Sequence, residues 1–535
     1  MRVKIYGPPG CGKTYTLTEV VNIITGQRRG TGKLEPLNEV YSSFDVNDIA
    51  FISFARVTIS IARSRTPLED ENVRTLHSIA YQIVTRDMSR AEKDRLNKKL
   101  SNLEKELVSI ARELGLKYNP ANPFDVTEGN LFFNAIEKAI HVHYPKARDR
   151  AVYYAYDYLP PHLHSKLDRY LALKDARGLV TYDDLLVWAY EELRKGRHGL
   201  FKSAFLADEY QDFSPLEAEL FRLITRDADF IAIAGDDDQA IYYHKGVTPR
   251  IIIKEKADVE IILDKSHRLP RAVHRVAMKV VSSISDRKRK RFLPKDEKGK
   301  VIVKNSNNVI ADAVKIGIAY AERGIRTFVL FRTNDLVVRA KWEALRLGYL
   351  TETLKREGRM GEEFREGQDR MRVTYEVADA IASYVRGQRS CRKMMRALNY
   401  AGYKVTEKDC TESGVPMHLL EYVRGFPRNL FTRKLTSKIG QRGVEILKEA
   451  MKGRWIARGD LKLLFIDTIH ASKGDEADVV VVVDYFPRRR LLKFLIKEWD
   501  YEMRVWYVAV TRARKTLYIV RPYDITKAVL ANAGV

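Results

Sequence analysis

Gly7-Pro8-Pro9-Gly10-Cys11-Gly12-Lys13-Thr14 follows a short apolar run, Val3 to Tyr6, and leads into a helical stretch from Tyr15. Strand, glycine-rich loop and helix stand in the order that gives the pattern G-x-x-x-x-G-K-[ST] its physical meaning. Glycine lets the backbone turn so that its N–H groups face a phosphate. The helix N-terminus adds partial positive charge at the same place. Lys13 can reach the outer phosphates, and the Thr14 hydroxyl suits a magnesium ion. Backbone amides do most of the holding, so Cys11 reads as a small filler. The same alternation then recurs. Apolar strands are expected at Ile49–Phe54, Ala204–Ala207, Phe230–Ala234 and Val259–Leu263. A second set is expected at Val301–Lys304, Phe328–Phe331, Leu463–Ile466, Val479–Val483 and Leu517–Val520. Buried runs of this kind between helices predict an α/β chain with two parallel-sheet domains.

The chain's 535 residues exceed one core and imply roughly three or four domains. With 45% hydrophobic and 31% charged residues it reads as globular and soluble. The formal charge of +24 suits a polyanionic partner, most simply nucleic acid, and on charge alone suits a generally solvated cationic surface equally. Cys11, Cys391 and Cys410 are scattered and lack metal-ligand spacing, which points to a reducing cytosol. No apolar run is long enough to span a membrane, and the N-terminus does not read as a signal peptide. A cytoplasmic location is therefore expected.

Two stretches differ in character from the strand-bearing ones. In the first, about 81 to 175, Leu96, Leu100, Leu103, Leu107, Ile110 and Leu114 step by four and three along one helix face. Gly115 follows as a cap. The seam is short for a coiled coil and predicts a helix packed inside an inserted domain. The second stretch, about 346 to 457, is rich in Arg and Lys and mostly helical in pattern. The runs Arg287-Lys288-Arg289-Lys290-Arg291 and Arg488-Arg489-Arg490 read either as phosphate contacts or as solvated loops.

Chemistry gathers at two further strand ends. Leu206-Ala207-Asp208-Glu209-Tyr210-Gln211-Asp212 places two carboxylates after an apolar strand. Triphosphate hydrolysis needs a metal near the outer phosphates and a group to activate water. Asp208 fits the first role and Glu209 the second. Ala234-Gly235-Asp236-Asp237-Asp238-Gln239-Ala240-Ile241-Tyr242 ends another strand in acids and an amide. An amide such as Gln239 can hydrogen-bond the γ-phosphate and register its loss.

DEYQD followed by GDDDQAIY resembles the UvrD/Rep/PcrA group of superfamily-one helicases. Further segments resemble that family's motifs in the right order: Phe51–Ile59, Thr75-Leu76-His77-Ser78, Thr181–Leu186, Ser266-His267-Arg268, Phe331–Asn334, Thr468–Glu476 and Tyr507–Ala513. The resemblance runs from Gly7 to Ala513. It implies two RecA-like P-loop motor domains, each carrying a mainly helical insertion. The expected division is 1–80 with 176–264 for the first motor and 81–175 for its insertion. The second motor is expected at 265–345 with 458–535, and its insertion at 346–457. ATP and Mg2+ are the implied cofactors. Arg268 and Arg512 are implied as phosphate-facing arginines beside Glu209 and Gln239. Tyr15, His267, Gly474 and Glu476 are implied as nucleotide contacts alongside Gly7 through Thr14. Phe54, Tyr242, Tyr243, His244 and His470 are implied at the nucleic acid. His77 fits a DNA contact or a buried histidine equally.

The sequence departs from the family pattern at three places. The loop opens at Gly7, so the family's upstream adenine-reading glutamine segment is not expected in its usual place. His267 stands where the family has an adenine-stacking tyrosine. Tyr243-His244-Lys245-Gly246 stands for G-W-R-G, exchanging a base-stacking tryptophan for histidine. Looser base selection and weaker single-strand grip are expected. The resemblance implies an ATP-dependent helicase or translocase moving 3′ to 5′ on single-stranded and tailed duplex DNA, with replication or repair proteins as partners. A protein-stripping translocase, an RNA substrate and a non-catalytic scaffold are the competing readings.

Overall fold

The computed structural model describes residues 1–53, 62, 64–120, 127–196, 202–352, 354, 362–388, 390–403, 426–486 and 498–535. Phe54, Cys410 and Arg488–Arg490 lie outside the described residues. The strands are β1 (Arg2–Tyr6), β2 (Ile49–Ile52), β3 (Val73–Arg74), β4 (Ala204–Ala207), β5 (Phe230–Gly235), β6 (Val259–Ile262) and β7 (Lys265–Pro270). They continue as β8 (Leu293–Lys295), β9 (Lys300–Ser306), β10 (Thr327–Phe331), β11 (Tyr349–Glu352), β12 (Gly459–Thr468), β13 (Ala477–Val483) and β14 (Ala513–Pro522).

Six strands form a first sheet in the order β3-β2-β4-β5-β1-β6, and six form a second in the order β11-β12-β10-β13-β14-β9. All pairings in both sheets are parallel. Side chains alternate between the two faces of each strand, so each sheet feeds two cores. In the first sheet, Ile52, Phe205, Ala207, Ile231 and Ile233 enter one core. Their neighbours Phe51, Leu206, Phe230 and Ala232 enter the other, against the helix Lys13–Ile24. In the second sheet Phe328, Leu330, Val480 and Val482 face one way and Val329, Phe331, Val481 and Val483 the other. Each such aliphatic or aromatic side chain contributes about 1.5–3 kcal/mol by leaving water.

The helix Arg90–Glu113 carries the leucine seam. Ser89 and Glu92 close a reciprocal capping box at its start. Gly115 follows its end at φ +65°, with its N–H donating to Arg112 O at 3.0 Å. Leu103, Ile110 and Leu114 pack on Phe132 and Ile136 of the helix Glu128–Ala147, while Leu96 and Leu100 pack on Val180 and Leu185. The seam thus packs partly inside the expected insertion and partly, through Leu96 and Leu100, against the expected first motor. A separate helical core joins Val377, Ile381, Leu398, Leu447 and Trp455. Among the described residues no helix is long and apolar enough to cross a membrane.

Besides 175, which lies within the helix His164–Ala176, two expected boundaries cut through elements. Residue 80 lies within the helix Leu76–Thr85, which packs on the first sheet's core. Residue 345 lies within the helix Asn334–Arg346, and β11 beyond it still pairs with β12. Tertiary pairing, not composition, sets both limits. β3, β7, β8 and β11 had no apolar run to announce them.

Candidate functional site

The glycine-rich loop joins β1 to the helix Lys13–Ile24. Gly10 and Gly12 have φ of +76° and +81°, a region that favours glycine. A Cβ on Gly10 would lie 2.4 Å from the Arg268 Cβ and 2.8 Å from the Ser266 Oγ. Lys13 is nearly buried, and its Nζ donates to Gly7 O at 2.8 Å. Burial pushes the Cys11 thiol up to about 12, which keeps it neutral and suits a filler. Tyr15 is exposed, with the Arg65 guanidinium 5.2 Å from its ring centre.

Asp208 leaves the end of β4 and is fully buried. The Thr14 Oγ1 donates to its Oδ2 at 2.6 Å. Burial and the neighbouring Glu209 charge push the Asp208 carboxyl up to about 6. Burial also raises Glu209, but the charges of Lys13 and Lys473 outweigh it and hold that carboxyl below its usual range. Glu209 stands at φ +53°, a strained setting for a side-chain-bearing residue. Its carboxylate accepts from the Gln211 amide, whose Oε1 in turn accepts from Asp236 N at 2.9 Å. The converging hydroxyl and carboxylate oxygens of Thr14 and Asp208 fit magnesium, which takes hard oxygen ligands and retains waters.

Asp236, Asp237 and Asp238 follow β5 and are fully buried. The Lys290 Nζ lies 2.9 Å from Asp236 Oδ1, 2.5 Å from Asp237 Oδ1 and 2.8 Å from Asp238 Oδ2. An ammonium therefore sits where the three carboxylates would otherwise invite a metal. Arg287 donates twice to Asp238, at 2.7 and 2.6 Å. The basic run Arg287–Arg291 is thus neither a phosphate contact nor a solvated loop throughout. Arg287 and Lys290 turn inward to neutralise buried acids, while Arg289 and Arg291 remain exposed.

Across the cleft, Arg512 is 1% exposed at the end of the helix Trp499–Val510. Its Nη2 donates to the Gln239 Oε1 at 3.1 Å, its Nε to Val508 O at 2.9 Å and its Nη1 to Asp475 O at 3.2 Å. Among the described residues no carboxylate forms an ion pair with it. Burial and the nearby Arg268 push it down to about 9. The Gln239 Nε2 donates to Asp236 Oδ2 at 2.8 Å, so one amide touches both sides. Arg268 pairs with Glu476, which also lies 3.5 Å from Arg514. Glu476 is therefore engaged by two arginines, while Gly474 stands in open space at φ +83°. His267 is exposed, and its N–H donates to Gly10 O at 2.8 Å.

Three residues at the cleft were not singled out from the sequence. The Ser266 Oγ donates to Pro9 O at 2.9 Å and accepts from the backbone of Arg268 and Leu269. The Lys473 Nζ donates to Asp212 Oδ1 at 2.6 Å and to Gln239 O at 2.7 Å. Lys290 is the third. Ser266 and Lys473 lay inside quoted motifs. Nothing in a run of five basic residues marked Lys290.

Residues 1–260 match the family described as UvrD/REP helicase N-terminal domain, and residues 445–522 match the UvrD-like helicase C-terminal domain. The chain belongs to the UvrD/Rep-like superfamily-one helicases. A probable DNA helicase II homolog of Mycoplasma capricolum is 24% identical over 175 residues, covering 29% of this chain and 24% of that protein. DNA helicase II of Haemophilus influenzae is 29% identical over 171 residues, covering 30% and 22%. ATP-dependent DNA helicase Rep of Escherichia coli is 30% identical over 106 residues, covering 20% and 15%. The matched segments span about a quarter or less of the length of these curated relatives. In this UvrD/Rep-like chain the two parallel sheets are the RecA-like pair.

The aromatic residues assigned to nucleic acid in this UvrD/Rep-like chain are more enclosed than a stacking platform requires. Tyr242 lies under the Lys473 Nζ, 5.1 Å from its ring centre. Tyr243 packs on Tyr501 with ring centres 4.1 Å apart and has the Lys138 Nζ 3.7 Å from its ring centre. His244 is pushed down to about 3 by burial and by Lys245 and Lys138. His470 is 7% exposed, and burial followed by the Arg332 charge holds it neutral. Tyr501 and Lys138 thus occupy ground beside the Tyr243 ring that a base would need. His77 is half-buried, edge-on to Tyr182. The Thr181–Leu186 segment is a helix start, with Thr181 and Asp184 capping each other. Asp183 accepts from or pairs with His141, whose other ring nitrogen meets the Ser214 Oγ at 2.6 Å. Ser214 is fully buried as a helix cap, so this Ser-His-Asp set is structural.

Proposed function

We propose that this chain is a nucleic-acid-stimulated ATPase that moves 3′ to 5′ along single-stranded DNA and separates duplex strands. The observation that carries the reading is the Gln239 amide, shared between Asp236 of the first body and Arg512 of the second. A group at that point responds to what lies between the sheets and to how they sit. Lys13 and the loop amides hold the phosphates, and Thr14 with Asp208 holds Mg2+. When bound, that ion neutralises charge on the β- and γ-phosphate oxygens. Glu209 orients the attacking water and accepts its proton as a carboxylate that the Lys13 and Lys473 charges keep ionised. Arg512, a buried guanidinium held by neutral oxygens, meets charge that grows on the γ-phosphoryl group, with Arg268 beside it. Phosphate binding thus favours the closed cleft, and hydrolysis withdraws that preference.

On this reading, 1–80 with 176–264 is the first motor and 265–345 with 458–535 the second, the latter extended by β11. The segments 81–175 and 346–457 are insertions. Single-stranded and tailed duplex DNA are the partners, in the cytoplasm, in replication or repair. Phe54, Tyr242, Tyr243, His244 and His470 are the proposed base contacts, and Tyr15, His267, Gly474 and Glu476 the proposed nucleotide contacts.

The test is ATP hydrolysis with and without single-stranded DNA, followed by displacement on duplexes with 3′ or 5′ tails. Stimulation with displacement from 3′ tails alone supports the proposal. Hydrolysis without displacement favours a protein-stripping translocase, and absence of stimulation by any nucleic acid overturns both. Lys13→Ala should abolish turnover while DNA binding persists; an active variant would refute the phosphate-site assignment.

A further inference from the structure

The segment between the helix Arg271–Ser282 and β8 belongs to the second body. Ile284 and Phe292, at its two ends, lie in the core beneath the second sheet. Between them, Ser285 and Asp286 are fastened to the Asp500 carboxylate, with Ser285 N at 3.0 Å, Ser285 Oγ at 2.6 Å and Asp286 N at 2.8 Å. The strap so anchored carries Lys290 into the first body. There its side chain is 1% exposed and touches all three aspartates after β5. Only Asp236 of those three also accepts from the Gln239 amide, at 2.8 Å.

We propose that Lys290 is a positioning residue for Gln239, fixing which end of that amide faces Arg512 by pinning Asp236 as its acceptor. The inference rests on the proposed ATPase reading. An amide has a donor end and an acceptor end of nearly equal size. Arg512 has only donors to offer, so Gln239 must present Oε1 to it, and Nε2 must then find an acceptor. Asp236 supplies that acceptor while held in place, and accepts with both oxygens, as a charge-assisted partner, only while ionised. It is wholly buried, where a lone carboxylate is strongly disfavoured. The Lys290 ammonium, 2.9 Å from its other oxygen, provides the compensating charge. Burial raises the Asp236 carboxyl, while Lys290 first and Lys13 second bring it below the usual range. The chain Lys290–Asp236–Gln239–Arg512 therefore begins and ends in the second body and passes through the first. Movement of the strap reaches the amide without passing through the nucleotide.

The experiment compares Lys290→Met, Gln239→Ala and the double variant in the full chain. It reads the kcat of ATP hydrolysis on saturating oligothymidylate, per folded molecule, together with ADP affinity. Lys290→Met should lower kcat about tenfold while ADP, which lacks a γ-phosphate, binds within about twofold of wild type. The double variant should match Gln239→Ala alone, because both losses act through one amide. Multiplying losses in the double variant, or a Lys290→Met kcat within about twofold of wild type, would overturn the proposal. If Lys290→Met does not fold, Asp236→Ala replaces it, since Lys290 then keeps Asp237 and Asp238; the same cycle with Gln239→Ala decides. A wild-type chain without ATPase activity would instead overturn the functional reading itself.

Discussion

Gly10 shows how much one residue of the loop must satisfy. Its φ is +76°, and the Arg268 Cβ would lie 2.4 Å from any Cβ placed on it. Gly324 has the same φ of +76° with nothing within 4 Å. Alanine at either position meets a left-handed backbone cost of about 1–2 kcal/mol. Only at Gly10 must the neighbouring arginine also move. Gly10→Ala should weaken binding of a fluorescent ATP analogue at least about tenfold, a loss of roughly 1.4 kcal/mol, while Gly324→Ala leaves it unchanged. Equal binding by both variants would separate the loop from the arginine. The residues proposed to face the nucleotide were legible because the chemistry allows few substitutes at fixed spacing. Lys13, Thr14, Asp208, Glu209 and Gln239 all stand at the ends of strands that their apolar runs announced. Lys290 was illegible because charge alone does not say which lysine of a run turns inward. The enclosure of His470 and the packing of Tyr243 on Tyr501 were not legible, because residue type says nothing of what lies against a ring.

Among the elements, Asp484 joins β13 to the short helix Val529–Asn532. Its carboxylate accepts from Val529 N at 2.6 Å, Leu530 N at 3.0 Å and Ala531 N at 3.3 Å, closing the start of that helix. Burial nevertheless pushes this carboxyl from 3.8 up to about 6, more than those amides pull it down. The folded state then holds a proton that the unfolded state has released, so this contribution is complete below about pH 4 and fades as pH rises through about 6. The gap corresponds to roughly 3 kcal/mol. Asp484→Asn keeps an acceptor oxygen without the charge. Urea unfolding from pH 4 to 7 should show wild type losing stability relative to Asp484→Asn as pH rises. Parallel curves would mean that the carboxyl is not raised. Elements with strong period announced themselves, as the seam of Arg90–Glu113 and the runs of β5 and β13 did. β7 reads Lys-Ser-His-Arg-Leu-Pro and β3 has two residues, so only their partners define them.

At the scale of the whole molecule, the +24 charge is partly spent internally. Arg287, Lys290, Lys473 and Arg504 all reach carboxylates or carbonyls across the cleft. The exposed remainder should still govern DNA affinity. Neutralising three phosphates suffices for about a tenfold loss of single-strand affinity between roughly 50 and 200 mM salt. Fluorescence anisotropy with oligothymidylate would measure it, and a flat salt response would place binding on bases alone. The order of the motifs foretold two sheets but not their mutual fit, because ion pairs between distant segments leave no periodic trace. One contact has a mechanical consequence. Ser266 and His267 fasten β7 to the backbone of Pro9 and Gly10, while Leu269, two residues on, lies in the second body's core. The two halves therefore share a pivot beside the glycine-rich loop itself. On the proposed reading, a small rotation there would become the longest stroke at whatever lies farthest from it, as at the tip of a lever whose fulcrum lies next to its fuel.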